Sequence, residues 1–144
     1  MKGVLLFDID GVIRDVSKSY RLAIQATVQH FCGWRPTLQE IDQLKMEGCW
    51  NNDWDASLEL IRRYSRNNIF SDLIPQQKDL IEVFNKFYFG GEPTEDPRTW
   101  KGFIKNEPLL VPTSFFKELS NQQILWGFVS GAERASAEFL LENR

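Results

Sequence analysis

Several things are scarce in this chain, and each scarcity excludes something. There are only two cysteines, Cys32 and Cys49. Their spacing matches neither a metal site nor a disulfide framework, so both read as small reduced hydrophobes. The one histidine, His30, falls near the end of a predicted helix, where a cation is mildly favoured. No basic run exceeds Arg62-Arg63, and the net charge is −3 with a pI near 5.2. That balance offers no general attraction to nucleic acid or to anionic membranes. No apolar run approaches membrane length, and Met1-Lys2-Gly3 leads straight into an apolar segment without a signal-peptide pattern. The expected location is cytoplasmic. Internal repeats and low-complexity segments are also missing.

What is present is enough for a core: 144 residues, 42% hydrophobic and 13% aromatic. The chain is organised around Val4-Leu5-Leu6-Phe7-Asp8-Ile9-Asp10-Gly11-Val12. Four apolar residues run into two carboxylates one residue apart, and a glycine follows. So short an apolar run, closed by polar residues and Gly, reads as a fully buried parallel strand. Open α/β sheets gather their ligands at such carboxyl ends. Strand alternation sends Asp8 and Asp10 to one side of Ile9, and Gly11 permits a sharp turn. Two acids so placed can divide labour, one as nucleophile or metal ligand and the other as proton donor and acceptor. The plainer reading is a strand end with two solvated aspartates feeding a turn.

Past this stretch the pattern turns helical. Ser17 is a suitable cap for a helix over 18–32 with Tyr20, Ile24, Thr27 or Val28, and Phe31 inward, closed by Gly33. Thr37-Leu38-Gln39-Glu40 forms a capping box for a second helix ending near Met46. Lys45, Trp50, Asn51, Asn52 and Asp53 then combine a cation, an indole, amides and an acid, a mixture suited to reading a substrate. Equally, Trp50 and Trp54 can staple two helices together, and Asn52 or Asp53 can cap a third helix over 54–67. The stretch 71–74 reads as a connection, and Pro75 fits the first turn of a fourth helix that Gly90-Gly91 ends. Residues 92–107, rich in Pro, Gly and charge, read as a linker anchored by Trp100 and Phe103. A short helix follows, with Phe115, Phe116 and Leu119 inward. Ile124 to Gly131 reads as a second buried strand ending in a hydroxyl and a glycine, and Ala132 to Glu142 as a last helix with Ala135, Phe139 and Leu140 inward.

Phe7-Asp8-Ile9-Asp10-Gly11-Val12 resembles the first motif of the haloacid dehalogenase-like (HAD) hydrolases, an apolar strand followed by Asp-x-Asp-Gly-Val/Thr. Val129-Ser130-Gly131 resembles the second motif. The helical insertion between them is similar to the small cap carried by one branch of the family. The resemblance implies an α/β fold: an incomplete Rossmann-like parallel-sheet core with an inserted four-helix cap. The expected divisions are 1–16 for the first part of the core, 17–91 for the cap, 92–107 for the hinge and 108–144 for the second part of the core.

The implied activity is a phosphohydrolase acting on a small phosphorylated metabolite through an aspartyl phosphate. Asp8 would be the nucleophile and Asp10 the acid and base. Gly11, Ser130 and Gly131 would hold phosphate oxygens, with free amides at a helix start contributing. Mg2+ would be bound by Asp8 and Asp10, the latter through its main-chain carbonyl. Lys45, Trp50, Asn51, Asn52 and Asp53 would select the substrate. Arg14 can reach a substrate anion, stand exposed in the turn, or pair with Asp15. The second acid at Asp10 argues against dehalogenation, and phosphatase and mutase are not separated.

The chain departs from the family pattern in one large respect. A complete member continues to a lysine and a further acidic pair, whereas no lysine follows Lys117, and Glu118, Glu133, Glu138 and Glu142 fall on predicted helices. Two strands are visible where the family has at least five. The expectation is therefore the amino-terminal part of a longer hydrolase, weak or inactive alone and prone to self-associate through exposed strands. The alternative from another class is a non-catalytic module that binds a phosphorylated ligand or a partner. A receiver-like phosphoacceptor leaves no room for the long helical insertion.

Overall fold

The computed structural model describes residues 3–68 and 74–143. In chain order these form β1 (Gly3–Phe7), α1 (Tyr20–Cys32), α2 (Leu38–Met46), α3 (Asp53–Asn67), α4 (Gln77–Tyr88), two 3-10 turns (Pro97–Thr99 and Phe103–Asn106), α5 (Thr113–Asn121), β2 (Ile124–Phe128) and α6 (Arg134–Asn143). The connection expected over 71–74 lies, except for Ile74, outside the described residues. The chain divides into two compact units, Met1–Ser17 with Asn106–Arg144, and Lys18–Lys105.

The first unit is α/β. β1 and β2 pair in parallel, in register from Gly3↔Ile124 to Phe7↔Phe128. The Val129 N–H extends the ladder by donating to the Phe7 carbonyl at 2.9 Å. Aromatic side chains fill the face covered by α5, where Phe116 meets Phe7 at 5.7 Å, Trp126 at 4.7 Å and Phe128 at 5.6 Å between ring centroids. Ile9, Ile13 and Leu140 form the core below, packed against Leu109, Val111 and Phe128. The leaving and returning chains run side by side: Asp15 N–H donates to the Pro108 carbonyl at 2.9 Å and Leu110 N–H to the Ile13 carbonyl at 2.8 Å.

Among the described residues nothing covers the opposite sheet face. Val4, Leu6, Leu125 and Val129 are 58%, 65%, 55% and 61% exposed. A Cβ added at Gly127 would stand 3.6 Å from Leu6 Cδ2, which places these side chains on one side. The parallel pairing expected from the sequence is observed, but the full burial expected of both strands is not. Burial on both faces needs a layer on each side, and the described residues supply one.

The second unit is built of α1 to α4. Ala23, Ile24 and Val28 of α1, Ile41 and Leu44 of α2, Ala56 and Ile61 of α3, and Leu80 and Phe84 of α4 are buried. The caps follow the expected chemistry at three ends. Gly33 closes α1 at φ 74°, Thr37 and Glu40 form the capping box of α2, and the Asn52 side chain accepts from the N–H groups of Trp54 and Asp55. Two starts differ. α1 begins at Tyr20 with Ser19 in the cap position, while the Ser17 N–H donates to the Asp15 carboxylate at 2.9 Å in the turn before it. Pro75 sits ahead of α4, whose cap is Gln76. Among the described residues no helix is long and apolar enough to cross a membrane.

Residues 92–107 are mostly exposed, with Trp100, Ile104 and Glu107 buried. Trp100 is fully buried, packs at a tilt against Phe89 with ring centroids 4.6 Å apart, and donates from Nε1 to the Glu92 carbonyl at 2.9 Å. Gly102 N–H donates to the Phe89 carbonyl at 2.8 Å. The anchoring role expected of Trp100 is thus seen in its burial, whereas Phe103 is only half-buried. Both cysteines are free thiols. Cys49 is exposed, and Cys32 is half-buried, with burial pushing its thiol up.

Candidate functional site

The site is the turn that β1 enters. The strand ends at Phe7, so Asp8 and Asp10 are placed by the turn rather than by strand alternation. The Ile9 carbonyl organises it, accepting from the N–H groups of Val12 at 3.2 Å, Ile13 at 2.8 Å and Arg14 at 3.2 Å. Three amides on one oxygen wind the chain tightly, and Gly11 takes the left-handed conformation this requires, at φ 77°. Gly11 N–H then donates to the Arg14 carbonyl at 2.8 Å. Asp8 is exposed at the sheet edge, with Oδ1 accepting from the Ile9 N–H at 2.7 Å.

Asp10 is held differently. Arg14 Nε donates to Asp10 Oδ1 at 2.7 Å. Arg14 is itself completely buried, neither an exposed turn residue nor a side chain turned toward a substrate. Its Nη1 lies 2.9 Å from Glu107 Oε2 and donates to the Ser136 carbonyl at 3.2 Å, while Nη2 donates to Ser136 Oγ at 2.6 Å. One guanidinium thus joins two carboxylates and a hydroxyl. It links the segment after β1, the segment entering α5, and α6.

Glu107 and Ser136 could not be singled out from composition. Glu107 sits in a charged stretch next to a proline and reads as solvated. Ser136 carried a usable signal, because it precedes Phe139 and Leu140 by three and four residues and so shares their buried stripe. A hydroxyl on such a stripe needs a partner. The long-range partner itself becomes visible only when the fold closes.

Ser130 and Gly131 follow β2. Since Phe7 stands opposite Phe128, the parallel register carries Asp8-Ile9-Asp10 and Val129-Ser130-Gly131 off the same edge of two adjacent strands. Ser130 Oγ accepts from the Ala132 N–H at 3.0 Å, forming a tight turn two residues before α6. Glu133, expected on a helix, lies in this loop, and Glu138 on α6 is paired with Arg134 at 2.6 Å. No group of three His, Cys, Asp or Glu able to hold a metal occurs among the described residues.

The five residues expected to select a substrate lie in the second unit and mostly engage one another. Lys45 Nζ meets Asp53 Oδ1 at 2.6 Å and the Asn51 carbonyl at 3.3 Å. Trp50 Nε1 donates to Glu47 Oε2 at 3.0 Å, and Asn52 caps α3. The arrangement staples α2 to α3. Two bonds from Arg63, at 2.6 and 2.7 Å, join the Trp50 bond in holding the Glu47 carboxyl down to about 2. His30 is exposed and packs edge-on against Phe31 and Phe87.

The architecture is shared with a solved phosphatase. The chain superposes on phosphatase Tt82 from Thermococcus thioreducens with a TM-score of 0.70, at 20% identity, over 98% of this chain and 69% of that one. In sequence it is 35% identical over 119 residues to an imidazoleglycerol-phosphate dehydratase of Phytophthora nicotianae. The match takes in 83% of this chain, which spans 24% of that relative's length. No protein-family profile matches the chain.

Proposed function

We propose that the chain carries part of the active site of a HAD-type, magnesium-dependent phosphohydrolase that acts on a small phosphorylated metabolite in the cytoplasm. The observation that carries this reading is the parallel register, which brings Asp8-x-Asp10 and Ser130-Gly131 to one sheet edge. The fold likeness to a phosphatase supports it. The exposed Asp8 carboxylate attacks phosphorus, and the bond from phosphorus to the leaving oxygen breaks as Asp10 gives that oxygen a proton. Asp10 then takes a proton from water as the water oxygen attacks phosphorus, which frees the Asp8 carboxylate and phosphate. Ser130, Gly131 and the turn at Gly11 bind the phosphoryl oxygens, with amides rather than a catalytic base.

Asp8 and the Asp10 carbonyl are hard oxygen donors of the kind magnesium selects, and they would hold it together with substrate and water oxygens. The ion supplies neutralisation of phosphoryl charge. Lys45, Trp50, Asn51, Asn52 and Asp53 we assign to choosing among phosphate esters. We further propose that the chain, which spans 24% of the dehydratase and 69% of the phosphatase, works as part of a larger hydrolase and by itself turns esters over weakly or not at all while still accepting a phosphoryl group at Asp8.

The test is 19F NMR with beryllofluoride, a mimic of an aspartyl phosphate, in the presence of magnesium. Wild-type chain is expected to give a bound fluoride signal that Asp8→Asn loses. A wild-type chain with no bound signal overturns the reading. A second reading, a phospho-ligand or partner-binding module without turnover, is favoured by the tie between Asp10 and a buried arginine, which can serve structure alone. Inorganic phosphate binding that survives Asp8→Asn, with no hydrolysis under added magnesium, would decide for it.

A further inference from the structure

We propose that Arg14 is the positioning residue for Asp10, fixing which carboxylate oxygen is presented to the reacting group; the inference rests on the phosphohydrolase reading above. A turn aspartate ordinarily rotates about two side-chain bonds. Here Oδ1 is anchored by the Arg14 Nε–H at 2.7 Å, while Oδ2 takes no hydrogen bond among the described residues. The anchor is rigid because the guanidinium is planar and its far end is held by Glu107 at 2.9 Å and by Ser136 Oγ at 2.6 Å. The whole side chain is buried, whereas Asp10 keeps 27% exposure. One end of the network is therefore locked inside the unit, and the other presents a single free oxygen.

The geometry also excludes a direct part for Arg14. Its guanidinium nitrogens point at Asp10, Glu107 and Ser136, and no surface of the side chain is left to meet a phosphate. A lysine would keep a positive charge beside Glu107 but has one ammonium in place of the fork, so it cannot hold Asp10 and Ser136 in fixed directions at once. The charge and the orientation can thus be separated by substitution.

The experiment is phosphorylation of the chain by acetyl phosphate with magnesium, followed by acid quenching and measurement of protein-bound phosphate over time. Acetate leaves without needing a proton, so label enters through Asp8 alone, and its loss requires Asp10 to activate water. Arg14→Lys is expected to take up label at the wild-type initial rate and, once acetyl phosphate is removed, to lose it at least about tenfold more slowly, a fraction of what acid–base groups contribute. In an Asp10→Asn background, Arg14→Lys is expected to change nothing further. A purely structural arginine would slow both backgrounds alike.

Should Arg14→Lys not fold, Arg14→Met with Glu107→Met removes both buried charges together and carries the same expectation. Label lost at the wild-type rate, or equal slowing in both backgrounds, overturns the positioning role alone. A wild-type chain that never labels overturns the phosphohydrolase reading and this role with it.

Discussion

At the residue scale, two kinds of glycine are needed for different reasons. Gly11 is required by its backbone conformation, since nothing lies within 4 Å of where a Cβ would go. Gly102 is required by space, because an added Cβ would fall on the Tyr88 carbonyl oxygen and the Gly90 amide. Gly11→Ala is therefore expected to cost about 1 kcal/mol, the strain of a left-handed residue. Gly102→Ala should cost more than twice that, because backbone cannot yield as a flexible side chain does. Thermal unfolding of the two variants checks the order, and a Gly102→Ala protein as stable as Gly11→Ala would contradict it. Sequence alone shows both as glycines beside turns and does not distinguish them.

At the scale of elements, Glu47 joins α2 to α3 from the end of one helix. Its carboxylate takes both Arg63 bonds and the Trp50 indole, and Arg63 also reaches Glu59 at 2.9 Å. The carboxyl is held at about 2 when folded, below its ordinary 4.5. A depressed folded value means stability that is present above the ordinary value and lost as pH falls toward the folded one. Wild-type chain should therefore lose stability between about pH 4.5 and 2 that Glu47→Gln never had. Denaturant unfolding at pH 6, 4 and 3 measures this. The difference should shrink in high salt, because these groups are in contact with solvent. Parallel pH curves for the two proteins would remove Glu47 from the account.

At the scale of the molecule, the bare face of the sheet is the largest departure from an ordinary α/β arrangement. Val4, Leu6, Leu125 and Val129 form one apolar strip, and the strands beneath them keep their outer edges. Such a surface tends to be covered, by another layer or by another molecule. The isolated chain is expected to self-associate, and Leu125→Lys should weaken that association about tenfold, as burial of one leucine is worth roughly 1.5–3 kcal/mol. Sedimentation velocity over a concentration series reads it directly. A wild-type chain that stays monomeric throughout would show that the strip is tolerated in water.

Much of this molecule was settled along the chain. Helix ends at Gly33, Thr37-Glu40 and Asn52 follow from side chains that satisfy nearby backbone groups, and such bonds span only a few residues. The two strands were legible for the same reason, from a short apolar run stopped by acids in one case and by Ser-Gly in the other. What only tertiary structure decided are the contacts between distant segments. Arg14 meets Ser136 across 122 positions, and the pairing of those two leaves no mark in local spacing. The bond from the Gly102 N–H to the Phe89 carbonyl, which folds the 92–107 segment back on the end of α4, is of the same kind. So is the exposure of two strands whose residues suit a core, because exposure depends on which layers lie above and below a strand and not on the strand itself.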